Sequence, residues 1–111
     1  DWDNLIEELD DMGASHKRAL ESYLQRLIEH ILKLRYWHSE VDKCRNSWKS
    51  EVSNFRNRIN RILKKNPSLK NYLAQEYSSV YEDAVKNMSF EFDIPKDSFF
   101  ELEQIMQEDF F

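Results

Sequence analysis

Leu20, Tyr23, Leu24, Leu27, Ile28, Ile31 and Leu34 recur at steps of three, one and four, the spacing that gathers apolar side chains on one side of an α-helix. This stripe predicts a helix from an N-cap at Ser15 to about Trp37. Upstream, Leu5, Ile6, Leu9 and Met12 show the same period, and Gly13 is suited to end a first helix in the left-handed conformation. Downstream, the polar run HSEVDKCRN is read as a connection. Trp48, Val52, Phe55, Ile59, Ile62 and Leu63 then form a third stripe, flanked by bases. Asn66-Pro67 punctuates the chain, with Asn66 as an N-cap and Pro67 in the first turn, where a missing N–H costs nothing. Leu69, Tyr72, Leu73, Tyr77, Val80, Tyr81, Ala84, Val85 and Met88 make the fourth stripe.

The period fails in FEFDIPKDSFF, where Pro95 favours an extended path. Ser98 and Glu101 have capping-box spacing, which predicts a short fifth helix to about Gln107. The expected fold is all-α, an antiparallel bundle of four main helices plus a short C-terminal helix, because short connections join neighbours. Composition agrees. The 111 residues hold one Gly and two Pro, too few for a turn-rich β fold. A hydrophobic share of 41% is enough for one core, so residues 1–111 are read as a single domain. Because the sequence begins without Met, it is read as a fragment of a slightly longer chain.

Charge changes the picture only locally. The net charge of −5 disfavours nucleic acid as a default partner. Yet Lys43, Arg45, Lys49, Arg56, Arg58, Arg61, Lys64 and Lys65 face only Glu51 within residues 43–65, so nucleic-acid binding through that helix stays open as an alternative. Asp1, Asp3, Glu7, Glu8, Asp10 and Asp11 precede any base; solvated carboxylates at a helix N-terminus explain most of them. Cys44 stands alone, which rules out an intrachain disulfide and fits a reducing cytoplasm. No apolar run approaches the roughly 20 residues that span a bilayer, so no membrane partner is expected.

Candidate chemistry is sparse. A carboxylate di-metal bundle needs Glu-x-x-His on two helices, but Gly13, Leu27 and Arg35 stand three residues before His16, His30 and His38. His30 and His38 lie about 12 Å apart along a helix, too far to share an ion directly. A phosphate cradle of the Gly-rich type is excluded by the single glycine. No elbow or papain-type sequence surrounds Cys44. No metal or cofactor is expected. His30 falls at the margin of its stripe, where a half-buried ring satisfied by a neighbour is weighed against a general base. Phe90, Phe92, Phe99, Phe100, Phe110 and Phe111 crowd the tail, either as a strap capping the bundle or, at Phe99, Phe100, Phe110 and Phe111, as a partner surface.

Several stretches together resemble the bacterial domain-of-unknown-function 29 family, frequent in cyanobacteria: WDNLIEEL, ALESYLQRLIEHILKLRY, SWKSEVSNFRNRI, NPSLKNYL and ELEQIMQEDF. The resemblance runs through nearly the whole chain in order and implies a small helical domain without an assigned reaction. Glu7, Glu8, His30, Trp48, Arg56 and Pro67 stand at positions characteristic of that family. The chain departs from its pattern at Trp37-His38, where Gln-Pro is common, lacks a Cys-Pro-Tyr before the last helix, and lacks a further N-terminal helix. The recurring polar set suggests a cluster of Glu7 or Glu8 with His30 or Arg56 and Trp48 nearby, either fixing helix register or doing acid–base work. The favoured reading is a non-catalytic interaction or regulatory module that binds a protein partner or itself; the alternative is a small enzyme or metal-binding protein using the Glu/His/Arg set.

Overall fold

The computed structural model describes residues 2–111, with side-chain surroundings from Gly13 onward; the stripe at Leu5, Ile6, Leu9 and Met12 lies outside the described side chains. Its elements are α1 (Trp2–Tyr36), α2 (His38–Lys65), α3 (Leu69–Met88) and α4 (Leu102–Ile105). The fold is all-α, with three long helices rather than four. The expected break at Gly13 is absent: Gly13 is helical and takes no positive φ. A glycine inside a helix costs only about 1 kcal/mol against alanine, which one residue's conformational freedom cannot turn into a stop signal.

The first reversal uses one residue. Trp37 leaves the helical region at φ −85°, ψ 71°. Its N–H still donates to the Lys33 carbonyl (3.1 Å), while its own carbonyl accepts from Val41 (3.0 Å) and Glu40 (3.2 Å). The run HSEVDKCRN is therefore the start of α2 and not a loop. Its helical signal is thin because the apolar positions there are sparse: Val41 is buried, and the next core residue is Trp48, seven residues on. The Trp37 ring closes the corner, stacked on Trp48 (centroids 5.8 Å) and on Phe92 (5.1 Å).

The second reversal behaves differently from its sequence reading. Asn66 caps the end of α2: its Nδ2 donates to the Ile62 carbonyl at 3.1 Å and its backbone N–H to the same oxygen at 2.9 Å. Its carbonyl then accepts from Leu69 (3.0 Å), so Pro67 sits in the turn that leads into α3, where it gives up no needed hydrogen bond.

Leu20, Leu24, Leu27, Ile28, Ile31 and Leu32 from α1 are fully buried with Val52 and Ile59 from α2 and Ala84 from α3. α1 is the central member, in contact with both other long helices. Beyond Met88 the chain runs as a strap along the bundle. Its short helix is capped by Glu101, whose N–H donates to Gln104 Oε1 at 2.9 Å, and not by Ser98. The expected helix end at Gln107 shortens to Ile105. Ser98 is occupied elsewhere, with its Oγ 2.6 Å from the Tyr36 hydroxyl.

Candidate functional site

Arg56 on α2 is the one buried charged residue among those described, 4% exposed. Its Nε donates to the Ile105 carbonyl at 2.6 Å, Nη2 to the Phe110 carbonyl, and Nη1 more loosely to the Glu108 carbonyl at 3.4 Å. One guanidinium thus gathers the carbonyl of the last residue of α4 and two from the chain beyond it, a task suited to its planar fork of donors. Burial lowers the pKa of the guanidinium, partly offset by the more distant carboxylates of Glu108 and Asp109.

His30 on α1 stands in other surroundings. Its ring packs tilted on Phe55, centroids 5.4 Å apart. Nδ1 lies 2.7 Å from the Arg26 carbonyl, an acceptor only, so Nδ1 carries the proton and Nε2 is the bare nitrogen. Half-burial pulls its pKa below the usual value; the Arg26 bond and the carboxylates of Glu51 and Glu29 oppose that shift, and Lys33 adds to it. Trp48 is stacked on Trp37 with Lys33 Nζ 5.8 Å from its ring centre. Among the described residues no hydrogen bond joins His30, Trp48 and Arg56. The side chains of Glu7 and Glu8 lie outside the described residues. Among the described residues the carboxylates that act on His30 are Glu51 and Glu29, which α-helical spacing alone could not single out.

The aromatic tail divides. Phe92, Phe100, Phe110 and Phe111 pack partly buried against the core, and Ile105 is fully buried within it. Phe99 is 47% exposed and Phe90 84%. Phe99 lies against Tyr77 (5.8 Å) and Tyr81 (4.9 Å). The Tyr77 hydroxyl donates to the Phe100 carbonyl, while the buried Tyr81 hydroxyl has no partner within hydrogen-bond distance among the described residues. Burial raises the pKa of both phenols, so both stay protonated.

Two hollows flank these features. One, of about 660 Å³, runs between α3 and the strap and is lined by Tyr81, Val85, Ile94, Pro95 and Phe99, with Glu82, Lys86, Lys96 and Asp97 among its polar residues. The other, about 360 Å³, lies between α2 and the end of the strap and is lined by Lys49, Ser53, Arg56, Asn57, Asn60, Glu108 and Phe111. Sequence reading missed both, since each forms only where the strap lies over a helix. The one available hint was the row Lys49, Ser53, Asn57 and Asn60 on α2, spaced four, four and three.

Among the described residues, no group of three or more His, Cys, Asp and Glu side chains is placed to hold a metal ion, and no helix is long and apolar enough to cross a membrane. No curated protein and no solved structure matches the chain. A family model does, along residues 1–111, and the chain belongs to that family, described as domain of unknown function DUF29.

Proposed function

We propose that this domain is a protein-interaction module that takes up a short apolar segment of a partner protein in the groove between α3 and the strap. The observation that carries the reading is Phe99, which lines this groove and is one of the two large hydrophobic side chains exposed among the described residues; the other, Phe90, follows the lining residue Ser89 in sequence. Singly exposed apolar residues are ordinary, but one that lines an apolar hollow with polar groups around it has the composition of a recognition site. The open part of two phenylalanines amounts to a few hundred Å². A stable dimer face needs about 800 Å² per partner, so a short segment of another protein fits this surface better than a second copy.

The remaining features favour binding over catalysis. His30 and Arg56 are held by different neighbours, with Nδ1 of His30 committed to Arg26 and the guanidinium committed to the strap. One continuous core, from Leu20 to Ile105, supports treating residues 1–111 as one domain. The lone Cys44 accords with the bacterial cytoplasm that the family resemblance suggests.

The test is site-specific photo-crosslinking in the source cells, with a photoreactive phenylalanine at position 90 or 99 and a control at Arg58 on α2. The expected result is the same protein crosslinked from both groove positions, absent from the control and lost in a Val85→Asp background. Crosslinks only between copies of the chain, or the same products from all three positions, overturn the reading.

A further inference from the structure

We propose that the pocket between α2 and the end of the strap binds the phosphoryl group of a small phosphorylated metabolite. The first observation is Arg56 itself. A guanidinium has five N–H donors, and three are directed at the carbonyls of Ile105, Glu108 and Phe110. All three partners are neutral, and among the described residues no carboxylate lies within ion-pair distance of Arg56. Buried charges are ordinarily paired. Two donors therefore remain on a side chain that is 4% exposed and lines the pocket, and its positive charge is offset only by the more distant carboxylates of Glu108 and Asp109.

The second observation is what surrounds that charge. Lys49 brings a second cation, and Ser53, Asn57 and Asn60 bring hydroxyl and amide donors, all from the side of α2 that the strap leaves uncovered. Hydrogen-bonding donors that line one pocket with a fixed guanidinium are the elements of phosphate recognition, and arginine's fork matches two phosphate oxygens at once. At about 360 Å³ the space exceeds what a bare phosphate fills, since a water takes roughly 30 Å³. Phe111 offers an apolar wall for the organic part of the ligand.

Glu108 is the one carboxylate lining the pocket, and its side chain is exposed. It weakens anion binding while it stays near and can turn to solvent. Asn57 and Asn60 are shared with a neighbouring hollow lined by Arg61, Lys64 and Lys65, whose cations raise the local potential. A nucleic-acid strand would engage those exposed cations; a phosphoryl group held by buried Arg56 would not need them.

The experiment titrates the ¹⁵N-labelled chain with ribose 5-phosphate, ribose, inorganic phosphate and a short single-stranded RNA, following the Arg56 Nε–H and the amides of Lys49 and Asn57. Expected are saturable shifts with ribose 5-phosphate, none with ribose, and weaker binding of inorganic phosphate. Removing one partly solvated charge changes such an affinity by roughly threefold to fivefold. Lys49→Ala should weaken binding by that factor, and Glu108→Gln should strengthen it similarly; both side chains are exposed, so folding is preserved. No saturable shift with either phosphate, or shifts indifferent to both substitutions, overturns the site. Equal affinity for inorganic phosphate overturns the metabolite as ligand. Preferential RNA binding that falls steeply with salt and depends on Lys64 and Lys65 overturns it in favour of nucleic acid.

Discussion

The three long helices and the strap are held in place in different ways. In the bundle, Leu24, Leu27, Ile28, Ile31, Val52 and Ile59 are fully buried in one cluster drawn from the long helices. The strap has one fully buried side chain, Ile105, and several partly buried ones, Phe92, Phe100, Phe110 and Phe111 among them. It adds a few polar fastenings: Tyr36 to Ser98, Tyr77 to the Phe100 carbonyl, and Arg56 to three carbonyls at its end. A core of many equivalent contacts opens cooperatively. A segment fixed at discrete points can open by itself. Both pockets proposed as binding sites lie against the strap.

The sharpest way to break this comparison is a matched pair of truncations. Leu27→Ala and Ile105→Ala each create a cavity at a fully buried position, at a cost of about 3 kcal/mol. Leu27→Ala should lower protection uniformly in native-state hydrogen exchange. Ile105→Ala should free mainly the amides of residues 98–110 and leave α1–α3 protected. Uniform loss in both variants means that bundle and strap form one cooperative unit.

A smaller pair concerns the tyrosines that face the strap. Tyr77→Phe removes a hydroxyl that is bonded to the Phe100 carbonyl and should destabilise by about 1 kcal/mol. Tyr81→Phe removes a buried hydroxyl with no hydrogen-bond partner among the described residues and should stabilise by about 1 kcal/mol. Urea denaturation of the two variants reads the opposite signs directly. If both destabilise, the Tyr81 hydroxyl is satisfied in solution.

Gly13→Ala probes the body at the point where α1 passes through its glycine. A Cβ there meets nothing within 4 Å, and the residue is helical. Alanine should raise stability by about 0.5–1 kcal/mol, seen as a higher thermal midpoint. A loss would place a break in α1 at this residue.

The smallest effect is expected from His30. Burial lowers its pKa in the folded chain, whereas the unfolded chain takes up that proton near 6.5. Below pH 6.5 the unfolded chain therefore binds more protons, so stability falls as pH falls and levels off beneath the folded pKa. Glu29 and Glu51 temper the effect and Lys33 enhances it. His30→Gln should flatten the decline in urea midpoint between pH 7 and pH 5.5 that the native chain shows; an unchanged slope means the ring is charged in the fold.

Much of this protein is written in its apolar spacing. The stripes of Leu20 to Leu34, Trp48 to Leu63 and Leu69 to Met88 determine three amphipathic helices, because a helix with one apolar side has to bury it against others like it. The family membership was legible for the same reason, in motifs carried by those helices. What went unread was the joints. Gly13 looked like a stop and HSEVDKCRN like a loop, but such local preferences are worth only about 1 kcal/mol and do not end a helix by themselves. Ser98 had the spacing of a cap, but the Tyr36 hydroxyl, 62 positions away in sequence, claimed it. Arg56 stood out in the sequence as one base among eight on a helix flank; only the fold brings the ends of α4 and the strap over it and converts a surface charge into a buried clamp. Local spacing decides which residues share a helix side. The long-range path of the chain decides which carbonyls, rings and charges then meet.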